Sequence, residues 1–274
     1  MSQEPILLTD EPAPHVRRIT LNRPNKRNAL SNTLRGEIFR ALDEADQDPD
    51  VRVMILRGAG TCFSSGYDLS GVGELPWHTA GGQGQWARHV VDGCFRIWDL
   101  AKPVIAQVHG WCLAGGSELA VACDLVYVAE DAQIGYPAVR TMSPPDNHYH
   151  VWLMGMRAAM EQMLTGDSID GIEAVRLGFA NRAYPVADLE PAVLAMAERI
   201  AKVDPELAQL NKRLVHRQME VMGMRQGLRA GTDLHALGWH TRASREYMDK
   251  MRQGVTAALT ERDAKFADYR TGGT

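Results

Sequence analysis

Two short segments carry residues whose types and order could do chemistry. The first, CFSSGYDL (62–69), joins small residues to a glycine and follows an apolar run of strand length. Small side chains let backbone approach a ligand closely, and a chain leaving a strand has N–H groups free to donate. The second, GWCLAGGSELAVACD (110–124), follows another such run. Gly115 and Gly116 open an apolar helix there, so unpaired N–H groups stand at the positive end of its dipole. Such a terminus favours an oxyanion. Glu118 is the sole charge between Gly110 and Asp124 and falls in the first turn of that helix. It could act as acid or base, or it could simply complement the dipole. Ser117 lies beside it without a GxSxG elbow, so a serine-nucleophile triad is not indicated.

Strands must position these segments. HVRRITLNR (15–23) places Val16, Ile19 and Leu21 in an imperfect strand-like alternation. VRVMILRG (51–58), PVIAQVHG (103–110) and DLVYVAED (124–131) are near-continuous apolar runs of the buried-strand type. Ser31 can cap a helix with Leu34, Ile38 and Leu42 on one face, running into the acidic stretch Asp43 to Asp50. Buried strands with helices between them predict an α/β fold. Residues 71–86, GVGELPWHTAGGQGQW, have no sustained periodicity and read as a mobile loop beside a site. GVGELP lacks the third glycine of a dinucleotide fingerprint, so no nicotinamide cofactor is expected.

From residue 189 the pattern turns helical, with Leu189, Val193, Met196 and Ile200 on one face and Asp204-Pro205 opening a further helix. The expected division is a core over 1–188 that carries the site and a helical region over 189–274. That region would bury poorly alone and should pack on the core or on a neighbouring subunit.

With 274 residues, 45% of them hydrophobic, the chain can build a large core without staples. A formal net charge of -4 argues against a nucleic-acid partner. Cys62, Cys94, Cys112 and Cys123 show no CxxC spacing, and the chain opens with polar residues rather than a signal-like apolar run. A soluble, cytoplasmic protein is expected, and no apolar run reaches the roughly 20 residues of a membrane span.

Taken together, these motifs resemble the enoyl-CoA hydratase/isomerase (crotonase) superfamily over nearly the whole chain. LNRPNKRNALS (21–31) is similar to the family segment that lines the CoA site, AKPVIAQVHG (101–110) to its strand before the glycine pair, and LTGDSIDGIEAVRLGFANRAYP (164–185) to a later helical segment, with Gly171 where alanine is usual. The resemblance implies a spiral of ββα units with a C-terminal helical domain that forms trimers, often paired into hexamers. It implies that the backbone N–H groups of Tyr67 and Gly115 hold a thioester oxygen, and that Glu118 holds and activates water. Arg23, Lys26 and Arg27 become the expected phosphate contacts, with Ala29, Ser65, Asp68 and Gly116 on the same CoA-binding segments. Coenzyme A enters as part of the substrate, and no separate cofactor or metal is expected. Lys265 beside Phe266 resembles the family's C-terminal aromatic and basic element.

The chain departs from the hydratase pattern at one telling position. Where hydratases carry a second glutamate, this sequence reads Tyr136-Pro137-Ala138, and Ala138 cannot transfer a proton. The following VRTMSPPDNHYHVWLMG (139–155) lacks the usual glycine-rich element. Asp146, His148 or His150 could take over the role, or the cluster could be a polar surface loop. His148 and His150 form only an HxH pair, too few ligands for a metal site. An acyl-CoA lyase or isomerase, most simply an enoyl-CoA hydratase, is the first expectation. A β-diketone or acyl-CoA hydrolase and a non-catalytic acyl-CoA shuttle are the rivals: Glu118 favours an enzyme, Ala138 a shuttle.

Overall fold

A computed structural model describes residues 4–69 and 74–269. Among the described residues, six strands form the main sheet in the order β1 (Leu7–Ala13), β2 (Val16–Leu21), β3 (Val53–Gly58), β4 (Val104–Val108), β6 (Leu125–Ala129), β8 (Arg182–Tyr184). The β1/β2 pair is antiparallel and the rest are parallel. The near-continuous apolar runs are the central strands: all five residues of β4 are buried, as are five of six in β3. Parallel strands covered on both faces require that composition.

Each central strand feeds a shorter second layer. Here β5 (Trp111–Leu113) pairs in parallel with β7 (Gln133–Gly135), and single bridges join Leu30 to Tyr67, Ser64 to Cys112 and Ile134 to Ile169. The turn from β4 into this layer needs Gly110, whose φ is +55° and where an added Cβ would lie 2.1 Å from the Thr61 carbonyl oxygen. Both candidate segments run through this layer.

Helices cover the sheet. Ser31 accepts the Leu34 N–H at 3.2 Å to cap α1 (Asn32–Gln47), which buries Leu34, Ile38 and Leu42 as the spacing predicts. Next come α2 (Gln85–Asp99), α3 (Gly115–Ala122), α4 (Tyr149–Thr165) and α5 (Gly171–Leu177). Gly171 follows from crowding: an added Cβ there would stand 2.0 Å from the Ala129 oxygen, leaving no room for a side chain. Then α6 (Val186–Ala201) lies across β3, β4, β6 and β8, burying Leu189 and Val193. Asp204 caps α7 (Pro205–Val221), and α7 and α8 (Met224–Trp239) pack together with α8 on α2. Finally α9 (Arg242–Gln253) and α10 (Val255–Ala264) pair around Tyr247, Met251 and Ala258.

Two buried polar clusters tie the later helices to the core. Lys212 of α7 meets Asp124 at 2.9 Å and the Lys102 carbonyl at 3.0 Å, while His216 stacks on Trp98 at 4.1 Å. Arg140 pairs with Asp268 at 2.6 Å and Asp263 at 3.3 Å, and lies 3.8 Å over the Phe266 ring. No helix among the described residues is long and apolar enough to cross a membrane. All four cysteines are buried free thiols.

Candidate active site

The two glycine segments meet face to face. Gly66 has φ +102°, and a Cβ on it would lie 2.9 Å from the Leu113 oxygen and 3.4 Å from the Gly115 nitrogen. A Cβ on Gly115 would strike the Tyr67 ring at 2.6 Å, and one on Gly116 the Ser64 oxygen at 2.6 Å. Ala114, at φ 48° and ψ −121°, is held in a region that favours glycine and turns the chain into α3. Among the described residues, neither the Tyr67 N–H nor the Gly115 N–H donates to a backbone carbonyl, although their neighbours do: Asp68 N–H reaches the Leu30 oxygen at 3.2 Å and Ala114 N–H the Gly135 oxygen at 2.9 Å. Two close backbone donors at a helix start can hold developing negative charge.

Asn28 braces this loop. Wholly buried, it donates to the Ala59 and Cys62 oxygens at 2.9 and 2.8 Å and accepts the Arg23 N–H at 2.9 Å. The Arg23 side chain is itself committed to Asp68 at 2.8 Å and to the Ala29 carbonyl. Arg23 and Asp68 therefore clamp the loop rather than standing free. Lys26 and Arg27 are exposed beside it, and the Ser65 N–H is tied to the Arg27 oxygen at 3.0 Å.

Glu118 projects from α3 into the interior and is fully buried. Its Oε2 accepts the Tyr67 phenol at 2.7 Å and its Oε1 the Asn147 N–H at 3.2 Å. Asp146, next to Asn147 and 2% exposed, joins it as a second carboxyl. Asp146 Oδ2 accepts the Tyr136 phenol at 3.3 Å, and Oδ1 lies 3.3 Å from His235 Nδ1. Trp239 Nε1–H donates to His235 Nε2 at 2.7 Å, which leaves the imidazole proton on Nδ1, also 3.0 Å from the Pro144 oxygen. Burial pushes the Glu118 pKa above its ordinary value, and the nearby Asp146 charge adds to the rise. Burial likewise raises Asp146, against the pull of Arg35 and the Tyr136 hydrogen bond. The two therefore titrate as a pair that holds protons to higher pH than free carboxyls do.

The surface-loop alternative for the Asp146, His148 and His150 cluster fails at two of the three, because Asp146 and His150 are each 2% exposed. His148 is placed elsewhere: it packs on Gly231 and lines a separate cavity of about 280 Å³ with Pro144 and Thr241. His150 lies edge-on to Tyr136 at 6.5 Å, its pKa lowered to about 4 by burial. Among the described residues no group of three or more His, Cys, Asp or Glu could hold a metal ion. Of the expected loop over 71–86, Gly71 to Gly73 lie outside the described residues, while Trp77 and Trp86 stand at the site. Sequence reasoning missed Arg35, Tyr136, His235 and Trp239. Only Arg35 left a trace, as a charge one position after Leu34 on an otherwise regular apolar face.

A family description, "Enoyl-CoA hydratase/isomerase", matches residues 12–269. The mitochondrial enoyl-CoA hydratase of Pongo abelii is 30% identical over 91% of this chain and 83% of its own. The hydroxycinnamoyl-CoA hydratase-lyase of Pseudomonas fluorescens is 32% identical over 68% of this chain and 70% of its own. The crystal structure of an enoyl-CoA hydratase/isomerase from Xanthobacter autotrophicus Py2 superposes with a TM-score of 0.85 at 34% identity, covering 95% of this chain and 98% of that one. Layered sheets, apposed glycine segments and a buried glutamate in the helix after them thus come with a match along most of the chain, and the chain belongs to the enoyl-CoA hydratase/isomerase family.

Proposed function

We propose that this protein is an enoyl-CoA hydratase in which Asp146 replaces the second glutamate lost at Ala138. The observation that carries the proposal is the buried Glu118 and Asp146 pair, each with a phenol donor, the Glu118 donor being Tyr67, whose ring abuts Gly115. Adding water across a conjugated thioester puts negative charge on the carbonyl oxygen, and the Tyr67 and Gly115 N–H groups would receive it. One carboxylate takes a proton from water as its oxygen bonds to the β-carbon, and the protonated partner delivers a proton to the α-carbon. A pair that keeps one proton near neutrality meets both needs.

Exposed Lys26 and Arg27 would meet the CoA phosphates, with Arg23 holding the loop through Asp68. Leu207, Leu210 and Leu214 of α7 and Leu234 and Leu237 of α8 are exposed, and we propose that a trimer, or a pair of trimers, covers them. An isomerase would use the same pair to move one proton between two carbons, so the product distinguishes the two reactions.

The test is hydration of short enoyl-CoAs with product analysis, beside the same assay on Glu118→Gln. Native protein should form the β-hydroxyacyl-CoA, and the variant should lose about 100- to 10,000-fold in turnover with little change in acyl-CoA affinity. Tight acyl-CoA binding without turnover would instead support a shuttle.

A further inference from the structure

Arg35 is a buried cation that neither holds water nor moves a proton in the proposed hydration. It is 5% exposed, and its one side-chain hydrogen bond among the described residues runs to the neutral Asn32 Oδ1 at 3.1 Å. Its guanidinium forms no ion pair with a carboxylate among the described residues, and the Glu118 and Asp146 charges reach it only at longer range. Aromatic faces enclose it instead: Trp86 at 4.9 Å, Trp77 at 5.5 Å and Tyr67 at 5.7 Å from the ring centres. The Trp77 indole N–H in this cage also lacks an acceptor. Burying a cation and a donor without a directly paired anion is costly, so such groups are suited to meeting a ligand.

The cage borders a cavity that Arg35 shares with Gly115, Tyr67, Leu30, Ile38 and Leu119, with about 20 Å³ of free space, which a bound acyl chain has to widen. Apart from Arg35 its walls offer an acyl chain mainly apolar surface. Gly115 supplies one of the two donors for the thioester oxygen in the proposed hydration, so Arg35 lines the same cavity as that donor. Resting on the acyl-CoA reading above, we propose that Arg35 is a specificity-determining residue that receives a carboxylate carried on a short acyl chain. The favoured substrates are then half-thioesters of short dicarboxylic acids. A planar guanidinium suits a carboxylate through two parallel hydrogen bonds, and an alkyl terminus there would leave the cation unpaired.

Binding of non-reactive thioesters tests this without turnover. Calorimetric titration should show succinyl-CoA and glutaryl-CoA binding at least about tenfold tighter than propionyl-CoA and butyryl-CoA, the gain expected of a hydrogen bond between charged groups. Arg35→Met should abolish that preference and leave the neutral pair within about threefold, because an apolar chain of similar length fills the same space without the charge that pairs with the carboxylate. Arg35→Lys should retain part of it. Equal binding of both classes by the native protein, or a preference that survives Arg35→Met, overturns the proposal. If the neutral thioesters bind and the carboxylated ones do not, Arg35 serves the carboxyl pair rather than the substrate. If no CoA thioester binds, the acyl-CoA reading itself fails, and the assignment of Arg35 with it.

Discussion

Replacing Asp146 with Asn isolates what the second carboxyl does. The amide keeps the shape, with one oxygen still available to His235 and an NH2 group able to meet the Tyr136 oxygen, but the negative charge is gone. Both carboxyls are raised by burial, so between about pH 4 and neutrality the native protein holds more protons than the unfolded chain. Stability from this source is full below the ordinary carboxyl range and is lost as pH rises toward the raised native values. Each extra proton contributes a slope of about 1.4 kcal/mol per pH unit. Asp146→Asn removes one of the two titrations and relieves the repulsion on Glu118, so the decline should be about half as steep, with the Glu118 pKa lowered. Guanidinium unfolding at several values between about pH 5 and pH 8 measures the slope. Turnover should fall about 100- to 10,000-fold, and the limb of the kcat/KM profile that reports Glu118 should move to lower pH. A variant with unchanged slope and turnover within about threefold of native would refute the shared-pair reasoning.

Further outcomes follow from single contacts. Gly66→Ala forces a side chain into positive φ against the Leu113 oxygen, so it should cost about 1–3 kcal/mol in thermal unfolding and reduce turnover by displacing the Tyr67 N–H. Trp239→Phe removes the donor to His235 Nε2; turnover should drop about tenfold with a shifted pH profile while acyl-CoA affinity holds, a split that simple loosening of α8 would not produce. Lys212→Met leaves Asp124 with His216 and the Val104 N–H but no lysine charge, and should destabilise the fold by about 3 kcal/mol in denaturant unfolding, with little direct effect on chemistry. Light scattering should find a trimer or hexamer, and a monomer would remove the proposed role of the exposed α7 and α8 leucines.

Local signals carried much of the fold. The apolar runs became β3, β4 and β6, Ser31 and Asp204 capped their helices, and Gly115 opened α3 with Glu118 in its first turn. What escaped was short or distant. β5 and β7 are three residues each, too brief for a period to declare itself, and β1 exposes much of its length, so its composition hides the pairing with β2. Asp146 could be named from the vacancy at Ala138, but it could not be separated from His148, because only packing decides which of two nearby polar side chains turns inward. His235 and Trp239 sit on a helix whose polarity looks like that of any surface helix. Arg23 shows the opposite failure: a basic residue in the expected place is spent on Asp68 and Ala29.

The brace on Asp146 also sets an order of events during synthesis. Pro144 and His235 meet across 91 residues of chain, an interval of several seconds at roughly 5–20 residues per second. A nascent chain could bring Gly66 against Gly115 long before α8 exists, and it would then present an oxyanion pocket with one carboxyl unsupported. Under the proposed hydration chemistry, turnover waits until the helix bearing His235 has emerged and docked.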